Sequence, residues 1–118
     1  MNGDTALVAV KVARRSELAE GRPTAASAGE RPIVLYRIGG AVYATDAKCT
    51  HANVDLADGR VVGGLIECPL HVAYFDIASG KGMGPPITRN LRTFPVSIDG
   101  DDVFVRLAAA DMQSPYSE

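Results

Sequence analysis

Every cysteine and histidine of the chain lies in one short window, in the order Cys49, His51, Cys68, His71. One residue separates the first pair, two separate the second, and sixteen lie between the pairs. Thiolate sulfur and imidazole nitrogen are donors that suit iron and zinc. Two short clips on two loops suffice to hold one metal centre between them. Simpler readings compete with this. Inert buried cysteines beside surface histidines would require four scarce residues to fall in paired spacings by accident. Structural zinc on two Cys and two His is possible, although Cys-x-His is not the usual Cys-x2–4-Cys zinc clip. A nucleophile–base pair explains fewer of the four residues than a ligand set does.

The elements that must position these residues are short strands. The chain has 118 residues, enough for one domain with a single core. Its 12 Gly and 7 Pro favour turns over long helices. Thr5 to Val12 reads as a first strand. Ser16 is placed to cap one helical turn that Gly21 ends, and Pro23 to Ala28 as an edge strand. Pro32 to Ile38 and Ala41 to Thr45 flank Gly39-Gly40, the pattern of a two-residue hairpin. From Lys48 to Pro86 short apolar pieces alternate with turn residues: Val61-Val62, Leu65 to Glu67 and Tyr74 to Ile77. This region reads as an inserted subdomain of about residues 47–87, closed by the stiff Gly84-Pro85-Pro86 loop. A last hairpin is expected from Leu91 to Ile98, through Gly100-Asp101, to Asp102 to Leu107. Pro95 then needs an edge or a bulge. Residues 108–118 read as a frayed tail with a short helix stopped by Pro115. The expected class is all-β: a small antiparallel sandwich or barrel carrying an inserted ligand-bearing subdomain.

Charge and composition narrow the function. A net charge of -2 and a pI near 5.6 argue against general nucleic-acid binding. No apolar run approaches the roughly 20 residues of a membrane span, and no signal peptide is visible at the start. The expected location is the cytoplasm, where thiols stay reduced. Asp46, Asp55 and Asp58 flank the first clip, with Lys48 and Arg60 interleaved. Such exposed charges ordinarily just solvate the surface; the second reading is that they steer a reductase with a basic docking patch.

Cys49-Thr50-His51 followed by Cys68-Pro69-Leu70-His71 resembles the paired loop motifs of the Rieske family. The resemblance continues through Phe75-Asp76, Gly80-Lys81, Pro85-Pro86, Leu91 and Phe94-Pro95-Val96. It spans roughly Leu7 to Leu107. It implies one [2Fe–2S] cluster, with two thiolates on one iron and two imidazoles on the other. It also implies a base of antiparallel strands, and a cluster surrounded by the two ligand loops and the proline-bearing loop. Ala73 and Phe75 then lie beside the cluster, with Pro85 and Pro86 in the third loop.

Departures from the family pattern narrow the type. High-potential members carry an extra Cys in each ligand loop; here the second-loop position is Leu70. Their sulfur-bonding Ser and Tyr become Ala73 and Phe75, which donate nothing. Donors aimed at sulfur stabilise the reduced cluster, so their loss lowers the potential. The expected value lies at the low end of the roughly -150 to +300 mV Rieske range. Tyr74 is expected to point away and pack. Ala52 and Val72 replace the Gly that follows each motif His in many relatives. The chain thus resembles the ferredoxin component of aromatic-ring-hydroxylating dioxygenase systems. That implies an electron carrier without a catalytic centre, between a flavoprotein or iron–sulfur reductase and a terminal oxygenase. A small subunit of a nitrite reductase, a monooxygenase component and a zinc-stabilised binding module remain as alternatives.

Overall fold

The computed structural model describes residues 6–70, 73–84, 87 and 89–116. Ten strands follow in order: β1 (Leu7–Arg14), β2 (Pro23–Ala28), β3 (Arg31–Ile38), β4 (Ala41–Asp46), β5 (Arg60–Val62), β6 (Leu65–Glu67), β7 (Tyr74–Asp76), β8 (Thr93–Phe94), β9 (Val96–Asp99) and β10 (Asp102–Ala108). They form three antiparallel sheets, ordered β1-β10-β9, β2-β3-β4-β8 and β5-β6-β7. The all-β class holds. Among the described residues no sheet closes into a barrel, so the sandwich is the correct half of that expectation.

Strand β3 explains the layering. Its side chains alternate between two buried faces. Ile33 and Leu35 join Val103, Val105 and Leu107 of β10 in one core. Val34 and Tyr36 join Ile66, Phe75 and Ile77 in a second. The four-stranded sheet is therefore a middle layer. It packs on the β1-β10-β9 sheet through one face and on the small β5-β6-β7 sheet through the other. Both cysteines belong to the second core.

The β3–β4 hairpin forms as its sequence dictates. Ile38 pairs with Ala41, and Gly39 and Gly40 take φ of 60° and 88°. Two successive positive values are what a turn of this twist needs, and Gly reaches them without strain. β2 is an edge strand, as its small residues implied.

Four local expectations need correction. The first strand runs to Arg14, beyond Val12; Thr5 lies outside the described residues. Ser16 does not cap the following 3₁₀ turn, Arg15–Glu17. Glu17 accepts the Arg14 N–H at 3.0 Å, while the Ser16 hydroxyl donates to Asp101 at 2.7 Å. Leu91 to Ile98 is not one strand. β8 pairs with β4 in the middle sheet, and β9 pairs with β10 in the outer one. Pro95 sits at the crossing, where a missing N–H costs nothing, and its carbonyl accepts the Arg106 N–H at 3.0 Å. The segment after β10 is not frayed across residues 109–116. A 3₁₀ turn at Ala109–Met112 is followed by chain that returns to the sheets. The Met112 carbonyl accepts the Glu30 N–H at 2.7 Å, and Tyr116 packs against the core that holds the cysteines.

Candidate metal centre

The first ligand loop leaves β4 under close restraint. Arg31 donates from Nε and its terminal nitrogen to both carboxylate oxygens of Asp46, each at 2.8 Å. The Asp46 N–H donates to the Arg92 carbonyl at 2.9 Å. Next, Leu56 N–H donates to the Ala47 carbonyl at 2.7 Å and Cys49 N–H to the Val54 carbonyl at 3.1 Å. These bonds pinch residues 47–56 into a narrow loop with Thr50 to Asn53 at its tip. Asp55 accepts from Ala57 N–H at 2.9 Å and starts the 3₁₀ turn Leu56–Asp58. Gly59 follows because a Cβ there would run into the Glu67 carbonyl oxygen.

The second ligand loop springs from β6. Cys68 N–H donates to the Ala73 carbonyl at 2.8 Å, which ties the start of β7 to the end of β6. The third loop is tied to both. Met83 N–H donates to the Tyr74 carbonyl at 2.9 Å, and Gly82 N–H to the Asn90 side chain at 3.0 Å. The Thr50 hydroxyl donates to the Arg89 carbonyl at 2.8 Å, linking the tip of the first loop to the segment after the third.

These restraints bring three of the four candidate ligands together. The Sγ atoms of Cys49 and Cys68 and a ring nitrogen of His51 lie within 4.8 Å of one another. His51 Nδ1 is 2.8 Å from Cys49 Sγ. Both cysteines are buried and neither forms a disulfide. His71, with Val72, Pro85 and Pro86, lies outside the described residues. Ala73 and Phe75 are buried with the two cysteines in one apolar core. Neither side chain offers a donor.

Electrostatics say what such a group wants. Burial pushes the Cys49 thiol up from its ordinary value; the backbone N–H of His51 opposes this, and the neighbouring Cys68 reinforces it. Two thiolates side by side in an apolar core are costly without a cation between them. Two soft sulfurs with an imidazole at one end therefore fit a bound iron or zinc centre, and suit iron–sulfur chemistry.

Other expectations resolve differently. Tyr74 does point away from Ala73 and Phe75, but it is more than a packing residue. Its hydroxyl donates to Glu67 at 2.6 Å, and Arg60 Nε donates to the other oxygen at 2.8 Å. Arg60, Glu67 and Tyr74 are register partners across β5, β6 and β7. This row braces the residue before Cys68. Of the three flanking acids, Asp46 is locked to Arg31 and Asp55 caps a turn; Asp58 is exposed. Two of the three are thus structural. Sequence reading missed Thr50, Glu67 and Tyr116, whose hydroxyl accepts the Lys48 N–H at 3.1 Å. Thr50 and Tyr116 meet main-chain groups far along the chain, and Glu67 meets Arg60 and Tyr74 only once β5, β6 and β7 are in register, so no spacing betrays them.

The sequence profile of the family described as the Rieske [2Fe-2S] domain matches residues 8–95. The ferredoxin component of a naphthalene 1,2-dioxygenase system from Pseudomonas aeruginosa is 38% identical over 92 residues, covering 78% of this chain and 88% of that one. The ferredoxin of carbazole 1,9a-dioxygenase from Nocardioides aromaticivorans superposes with a TM-score of 0.78 at 34% identity, covering 83% of this chain and 96% of that one. A complex of reduced oxygenase and oxidized ferredoxin in carbazole 1,9a-dioxygenase contains a chain matching at TM-score 0.75 and 32% identity, over 83% of this chain and 92% of that one. Among the described residues no helix is long and apolar enough to cross a membrane.

Proposed function

This chain belongs to the Rieske [2Fe-2S] domain family, and from that premise we propose that Cys49 and Cys68 hold one iron while His51 and His71 hold the other. When bound, the cluster supplies a one-electron redox centre. The residues around it do the rest. The buried cysteines keep the sulfur end dry. His51, half-buried, marks the end nearest solvent. The unit that holds the cluster is residues 47–87, within a single domain.

The chain is an electron carrier, a ferredoxin component of an aromatic-ring dioxygenase system and not its catalytic subunit. The observation that carries this reading is the convergence of two unpaired buried thiols with an imidazole. The oxygenase is the acceptor; a flavoprotein or iron–sulfur reductase is the proposed donor, and the cytoplasm the proposed location. Ala73 and Phe75 support a potential at the low end of the roughly -150 to +300 mV range, because neither can hydrogen-bond a cluster sulfur. Pro85 and Pro86 are proposed to stiffen the loop that covers the cluster.

Reconstitution tests the role. The loaded protein, a reductase and a terminal dioxygenase should together couple NAD(P)H oxidation to ring dihydroxylation. Turnover independent of this protein would remove the assignment. Ala73→Ser tests the tuning: the potential should rise, and an unchanged or lower value would displace Ala73 from the cluster's surroundings.

A further inference from the structure

The tail that follows the last strand ends against the first ligand loop. Asp111 accepts from Arg92 at 2.8 Å, and its carbonyl accepts from Arg31 at 3.1 Å. Arg31 is the same side chain that clamps Asp46 at the exit of β4. Met112 joins the base core and its backbone oxygen takes the Glu30 N–H. The chain then reaches Tyr116, whose ring lies 5.4 Å from the Lys48 ammonium and packs against the core holding both cysteines. The Tyr116 hydroxyl accepts the N–H of Lys48, the residue immediately before Cys49. The tail residues that make these contacts, Asp111, Met112 and Tyr116, lie beyond residue 95, where the family match ends.

We propose that Tyr116 is a positioning residue for the metal centre, fixing the Lys48–Cys49 peptide by accepting the Lys48 N–H, so that the tail acts as a strap on the first ligand loop. The inference rests on Cys49 being a ligand. The bridge between Lys48 and Asp55 is closed by the Leu56 N–H to Ala47 and Cys49 N–H to Val54 bonds, and the Lys48 N–H between them donates outside the loop, to Tyr116. A bond from outside the loop limits how far that side can open. Opening the peptide swings Cys49 away from Cys68 and exposes the cluster to competitors. One net hydrogen bond should change that opening equilibrium by roughly two- to tenfold.

Tyr116→Phe keeps the ring and removes only the acceptor. A chain ending at Met112 removes Tyr116 yet keeps the Arg92–Asp111 pair. Both are compared with the iron-loaded full chain by amide hydrogen exchange and by bleaching in excess EDTA. The strap predicts faster exchange at the Lys48 amide and faster bleaching, by roughly two- to tenfold in Tyr116→Phe and at least as much in the shortened chain. Exchange at β9 and β10 amides should stay unchanged in Tyr116→Phe, which separates positioning from general loss of stability. Wild-type bleaching or wild-type Lys48 exchange in Tyr116→Phe overturns the proposal. A full chain that takes up no iron and sulfide removes the ligand assignment itself, so the two failures are distinct.

Discussion

Tyr36 and Thr45 meet hydroxyl to hydroxyl at 2.8 Å, both fully buried on neighbouring strands. Thr45 spends its only proton on the Asp46 carbonyl, also at 2.8 Å. The Tyr36 hydroxyl must therefore donate to Thr45. Burial pushes the Tyr36 phenol far above its ordinary value, so it stays protonated. This relay sits behind the cysteine core and ends at the residue that opens the first ligand loop. Thr45→Val should cost about 1–3 kcal/mol in urea unfolding, because it strands a buried donor. Adding Tyr36→Phe should recover part of that loss. Strictly additive losses would contradict the relay.

Arg31 and Asp46 form a two-pronged pair with side chains only 7% and 15% exposed. The Asp46 hydrogen bond holds the Arg31 pKa above its ordinary value. Asp46→Asn leaves a buried guanidinium without its counter-charge, and unfolding should become about 3–5 kcal/mol easier. The apolar double variant Arg31→Met with Asp46→Leu should be far less harmed than either single change. Equal damage in the double variant would show that packing, not charge, governs the site.

Gly80 has φ of 79°, and a Cβ there would strike the Leu91 carbonyl oxygen. Its own carbonyl accepts the Leu91 N–H at 2.7 Å, so neither backbone can retreat. Gly80→Ala should lose more than about 1 kcal/mol and loosen the third loop. Thermal unfolding measures it; a wild-type midpoint would refute the close approach.

The strap has a pH dependence. The Arg92 hydrogen bond holds the Asp111 carboxyl below its ordinary value near 3.8. A depressed carboxylate contributes stability above the unfolded pKa and loses it as pH falls through the folded one. Tail protection should therefore be constant at neutral pH and fade below about pH 4. Arg92→Gln should weaken protection at neutral pH and flatten that acid dependence. Hydrogen exchange at Glu30, which bonds the Met112 carbonyl, reports it; an unaltered acid profile in Arg92→Gln would exclude Asp111 as the cause.

What the sequence disclosed followed from short-range physics. The β3–β4 hairpin was visible because Gly39-Gly40 permits two positive φ values between β-branched runs. The metal ligands were visible because scarce donor residues clustered. The interruption at Pro95 was half visible: proline demanded an exception, but alternation alone could not show that β8 and β9 join different sheets. The tail's order is not legible in the sequence because its anchors are remote. Asp111 to Arg92, Met112 to Glu30 and Tyr116 to Lys48 are contacts between distant positions, and a polar, alanine-rich end carries no periodicity that announces them. Strand alternation shows which side Tyr74 faces, yet its partner Glu67 emerges only once β6 and β7 are in register.

Electron paramagnetic resonance of the reduced protein, with iron, sulfide and zinc analysis on the same sample, tests the proposed Rieske [2Fe-2S] cluster on Cys49, His51, Cys68 and His71. The expected result is the two irons and two labile sulfides of a [2Fe-2S] centre, with the low average g of an imidazole-ligated iron pair, and loss of that signal in Cys68→Ser and His71→Ala. Stoichiometric zinc without labile sulfide, or a native signal surviving in either variant, would contradict it.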